Sequence, residues 1–90
     1  MEDFYVVHDI RQIIYAEEEH PFIELTTHDD WQYYFYVGQP LIAVTEAGEN
    51  IKGVLSVVEY TFFKIKTDSE TEVSITYIEI KSFQNIEKVV

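Results

Sequence analysis

His28-Asp29-Asp30 and Glu17-Glu18-Glu19-His20 bring together residue types that hold divalent cations, since imidazole and carboxylate oxygens suit such ions. Their spacing argues for simpler roles. Adjacent residues rarely converge on one ion, and no second His/Asp pair stands at a metal-binding interval. The glutamate run also lacks the alternating-oxygen loop of an EF-hand. His28-Asp29-Asp30 is read as a polar turn between strands. The glutamates are read as a solvated charge run or an electrostatic contact for a basic partner. Ser56, Ser69, Ser74, Ser82, three histidines and many acids could serve catalysis, but there is no nucleophile elbow, P-loop or HExxH. A carboxylate pair acting as general acid and base stays open on spacing. The expectation is a protein with no enzymatic activity, no metal and no cofactor.

The aromatic cluster Trp31, Tyr33, Tyr34, Phe35, Tyr36 is the other chemically pointed feature. On a strand, Trp31, Tyr33 and Phe35 share one face, and Tyr34 and Tyr36 take the other. One face must pack the core. The other sets two tyrosines near water or a partner, and tyrosine is enriched at protein interfaces. The candidate partner-binding residues are therefore Glu17, Glu18, Glu19, Glu24, Asp29, Asp30, Tyr34 and Tyr36.

Charge sharpens this. Seventeen acids against six bases leave a formal charge of −11. Residues 1–50 hold eleven acids and one base, Arg11, whereas residues 51–90 hold six acids and five lysines. Nucleic-acid affinity depends on neutralising phosphates with Lys and Arg, so direct nucleic-acid binding is disfavoured and a basic protein surface is the expected partner. The first ten residues are acidic and lack the basic n-region of a signal peptide. No apolar run approaches the ~20 residues a membrane helix needs. With no cysteine, the chain reads as soluble, cytoplasmic and without membrane contact.

These groups need a scaffold. Ninety residues suit one domain spanning 1–90, and 47% hydrophobic with 16% aromatic residues supplies a dense small core. Val6, Ile10 and Ile13 recur at helical spacing, widened by Val7 and Ile14, which predicts a helix over about 3–19. A strand at "DFYVV" is the rival reading, and Pro21 requires the helix to have ended by His20. From about 22 to 90 the pattern is β. "FIELTT" and "WQYYFYV" form a hairpin over 22–37. "LIAVTE" and "IKGVLSVVEY" flank a tight turn at Ala47-Gly48-Glu49-Asn50, and "FFKIKT", "TEVSITY" and "IKSFQNIEKV" follow. Within 51–60, Ile51, Leu55 and Val57 share a face with Gly53. Val73, Ile75 and Tyr77 alternate, then Ile78 and Ile80 slip phase, which calls for a bulge or one helical turn near Tyr77.

The fold class expected is mainly β (α+β): an N-terminal helix, then a small, strongly bent antiparallel barrel with an extra hairpin. The segment Pro40–Val90 resembles the Sm-like or SH3-like barrel of bacterial proteins through Ile51-x-Gly53-x-Leu55 and the slip at Tyr77–Ile78. "SITYIEIKSF" followed by "EKVV" is similar to the tail of the Rof family, small acidic Sm-like inhibitors of the Rho termination factor. The YolD-like proteins of phage and Bacillus share a comparable strand plan. Sm proteins that bind RNA carry Asp-x-x-x-Asn between their second and third strands; here Glu59 and Phe63 take those positions, so the base-binding amide is missing. The acidic charge of residues 1–50, the small size and the exposed tyrosines point to a small acidic binding module, a regulator or inhibitor docking on a basic surface of a nucleic-acid-handling protein. A homo-oligomeric scaffold joined through strand edges and a small-ligand sensor using the aromatic cluster are the alternatives.

Overall fold

The structure, a computed structural model, describes residues 6–86. Among the described residues nine strands follow one another: β1 (Val6–Val7), β2 (Ile10–Ala16), β3 (Phe22–Thr27), β4 (Gln32–Tyr36), β5 (Pro40–Thr45), β6 (Asn50–Val58), β7 (Phe62–Lys66), β8 (Glu72–Thr76) and β9 (Ile80–Asn85), with a 3-10 turn at Tyr77–Glu79 before β9. They form two open antiparallel sheets. One has six strands in the order β1-β9-β5-β6-β7-β8, and the other has three in the order β2-β3-β4. Among the described residues no helix is long and apolar enough to cross a membrane.

The N-terminal helix expected over 3–19 is not formed. Residues 3–5 lie outside the described residues; the remainder is β1, a turn and β2. Asp9 adopts φ 55°, a left-handed conformation that ends one strand and redirects the chain into the next. Apolar residues fall on both faces of β2. Ile13 and Tyr15 pack against the core, whereas Ile14 and Ala16 stand opposite Glu24 and Phe22 on the outer face. A strand apolar on both faces produces the i, i+4, i+7 recurrence of a helix as well. The β-branched content then favours the strand, because branched side chains pack well on a pleated surface and lose freedom in a helix.

The closed barrel is also corrected. β1 and β8 remain separate edges of the larger sheet, and the smaller sheet covers its apolar face instead. Ile23, Leu25 and Phe35 meet Val7, Leu41, Ala43, Leu55, Phe63, Ile65, Ile75 and Phe83 in one fully buried cluster. Phe83 is the hinge of this packing, its ring 5.4 Å from both Phe35 and Phe63. Of the segment expected to form a helix, β2 joins the appended hairpin as the second layer, while β1 pairs with β9 in the larger sheet. A sheet whose apolar face is covered in this way gains nothing further by curling onto itself.

β5 turns into β6 through Glu46–Glu49, closed by Gly48 N–H and Glu49 O on Thr45. β6 shifts register between Leu55 and Val57. The bulge rotates the strand end, so Val58 enters the core and Val57 sits half-buried, the reverse of simple alternation. The phase slip falls on the 3-10 turn, where Ile78 is left 91% exposed and Ile80 returns to the edge of the core.

Candidate functional site

Pairing in the smaller sheet determines which side chains share its outer face. Ile14, Glu24 and Tyr34 align across β2, β3 and β4, and Ala16, Phe22 and Tyr36 form the next row. The alternate residues Ile23, Leu25 and Phe35 are buried inside. Thr27 N–H donates to Trp31 O and Val37 N–H to Pro21 O, so Glu24/Tyr34 and Phe22/Tyr36 fall at the non-hydrogen-bonded pairs, where side chains approach closest. Phe22 packs 5.5 Å from both Tyr34 and Tyr36, and the two tyrosine rings lie nearly parallel at 6.4 Å. This aromatic group is wet: Tyr34 is 40% and Tyr36 46% exposed, with Ile14 and Val37 exposed beside them.

One end of this face is acidic. Glu17, Glu18 and Glu19 lie in the connection from β2 to β3. Glu19 and His20 border a depression with Pro21, Tyr36 and Val37, and Glu17 and Glu18 border another with Val37, Ser56 and Glu59. Of the eight candidate residues, Glu17, Glu18, Glu19, Glu24, Tyr34 and Tyr36 therefore occupy one continuous surface. Asp29 and Asp30 do not. They lie in the turn at the other end of β3, a strand of six residues that spans about 20 Å at ~3.3 Å per residue.

That turn is a piece of structure. Asp30 is paired with the Arg11 guanidinium, and Asp29 accepts a hydrogen bond from the Thr27 hydroxyl. Asp30 N–H donates to Thr27 O, and His28 N–H donates to Asp9 O at 2.9 Å. A depression here gathers His8, Asp9, His28 and Asp29, a juxtaposition invisible in the sequence because it depends on β1 lying near the β3–β4 turn. Among the described residues no group of three or more His, Asp and Glu is arranged to hold a metal. Trp31, expected on the core-facing side of its strand, precedes β4 and is 64% exposed.

Hydroxyl groups are engaged in structure as well. Ser56 Oγ donates to Glu72 Oε2 at 2.6 Å, and Ser69 bonds with Thr67 and Thr71 in the β7–β8 turn. Tyr77 donates its hydroxyl to Glu59 O at 2.7 Å; burial pushes that hydroxyl up to about 12.

No protein-family model, curated protein or solved structure matches this chain. Its function is therefore read from surface chemistry alone. Sequence reasoning omits Phe22, Val37 and Glu59 from this surface. Phe22 is accessible in principle, since a hairpin turning on His28-Asp29-Asp30 sets it opposite Tyr36. Glu59 is not, because it reaches Glu17 and Glu18 only through the packing of one sheet on the other.

Proposed function

We propose that this chain is a protein-binding module that docks, through the outer face of the β2-β3-β4 sheet and its glutamate-lined end, on a basic protein surface. The observation that carries this is an aromatic face, exposed at Tyr34 and Tyr36 and half-buried at Phe22, bordered by Glu17, Glu18, Glu19 and Glu59, in a stretch with no Lys or Arg between Arg11 and Lys52. Aromatic anchors supply interface area, and the carboxylates steer a cationic partner and set its orientation. Basic tracks that hold phosphates are such partners, so the chain acts as a regulator or inhibitor of a nucleic-acid-handling protein by covering its track, and does not itself grip nucleic acid.

The test uses defined basic proteins and a duplex oligonucleotide as analytes at 50 and 500 mM salt. The triple variant Glu17→Gln, Glu18→Gln, Glu19→Gln should associate several-fold more slowly with basic proteins at low salt, and this difference should fade at high salt. Unchanged association in the variant, or tight binding of the oligonucleotide, would rule the proposal out.

A homo-oligomer is the second reading, supported by the open edges at β1, β8, β2 and β4, which are ready templates for strand pairing. Light scattering at ~10⁻⁴ M decides it, a clean monomer excluding constitutive assembly.

A further inference from the structure

We infer that Glu24, Tyr34 and Tyr36 form a receptor for an arginine side chain carried by an extended basic peptide that adds to the edge of β4. The inference deepens the docking role proposed above and depends on it. Glu24 stands mid-strand, half-buried, with Ile14 on one side and Tyr34 on the other. Among the described residues no hydrogen bond or ion pair engages its carboxylate. A half-buried carboxylate between two apolar side chains and without a partner of its own is open to a cationic one. Beside it lie two exposed tyrosine rings, 6.4 Å apart and 24° from parallel. A guanidinium is planar, stacks on aromatic faces and offers a fork of N–H donors to a carboxylate at the same time. An ammonium is a compact point charge that cannot do both.

The backbone of β4 supplies the peptide's berth. Because the bonded pairs of β3 and β4 fall at 21/37 and 27/31, Gln32 and Tyr34 direct their N–H and C=O groups to the opposite, open edge. Tyr36 closes that edge, its N–H donating to Gln39 Oε1 and its O accepting from Gln39 N–H. An added strand opposite Tyr34 presents alternate side chains on the tyrosine face. An arginine there runs its apolar stem across the Tyr34 ring and brings its head to Glu24. A second copy of this chain is a poor occupant. Among the described residues its one arginine, Arg11, is paired with Asp30, and Lys52, Lys64, Lys66 and Lys81 lie on strands inside the larger sheet.

Fluorescence anisotropy with three matched peptides tests this, each alternating threonine with arginine, lysine or citrulline. The arginine peptide should bind about tenfold or more tighter than the lysine peptide, and citrulline should not bind. Glu24→Gln and Tyr34→Ala should each weaken the arginine peptide about tenfold and leave the lysine peptide unmoved, whereas Tyr34→Phe should retain affinity. Backbone NMR spectra confirm that each variant is folded. Equal binding of arginine and lysine peptides, insensitive to Glu24→Gln, would overturn the arginine receptor and leave the acidic docking surface standing. Binding of neither peptide at low salt would remove both. A wild-type dimer broken by Tyr34→Ala would transfer the face to a second copy and equally overturn the inference.

Discussion

The hydroxyl of Tyr77 shows how a single group ties stability to pH. It lies at the 3-10 turn, its ring stacked 5.6 Å from Phe63 and its O–H held by Glu59 O. Burial raises its pKa from the ordinary ~10 to about 12, so the fold holds the neutral form more tightly than the unfolded chain does. The stabilisation is complete below pH ~10 and is lost as pH climbs toward about 12, because the unfolded chain releases the proton first. Tyr77→Phe should cost ~1 kcal/mol at neutral pH by deleting one hydrogen bond. Its urea midpoint should then fall less steeply than the parent's between pH 10 and 12. Parallel curves would mean that Tyr77 plays no part in alkaline unfolding. The chemistry of the single residues was partly legible: the tyrosines and glutamates announce themselves by type. Glu59 did not, since its role depends on the distant turn it faces.

At the scale of elements, the close approach of β7 to its sheet neighbour β6 depends on Gly53. A Cβ at this position would stand 2.3 Å from Lys66 O and 2.6 Å from Ile65 Cγ2, and the backbone carbonyl in a paired strand cannot retreat. Gly53→Ala should therefore destabilise by ~2–3 kcal/mol, as overpacking does, read as a lower urea midpoint with an unchanged slope. A change below ~0.5 kcal/mol would show that β7 yields. Close backbone approach was readable from Ile51-x-Gly53-x-Leu55, and the phase slip pointed to the turn at Tyr77–Glu79. The bulge between Leu55 and Val57 was not, because Ser56, Val57 and Val58 satisfy either register until β7 pairs with them. Residues 6–16 mislead for a related reason. Their apolar residues suit two periodicities, and only pairing with distant strands, β1 with β9 and β2 with β3, makes them extended.

Over the whole molecule, the formal charge of −11 sets a repulsion that opposes compaction. The exposed pairs Arg11–Asp30 and Lys66–Glu70 each offset it by only ~0.2–1 kcal/mol. Screening should therefore help more than it harms. Raising sodium chloride from 10 to 500 mM should lift the thermal midpoint by a few degrees, a shift worth roughly 1 kcal/mol in a chain of this size. A midpoint that falls with salt would mean that attractive pairs dominate. From sequence alone came the β character after Pro21, the hairpin joining β3 to β4 and the crowding of acids before Ile51, all of them consequences of local alternation, turn chemistry and composition. The open pair of sheets, the placing of Ile14 beside Glu24 and the approach of Glu59 to Glu17 and Glu18 were decided only in three dimensions. Which face covers which is a contest over burying apolar area between segments far apart in the chain, and no local pattern records its outcome.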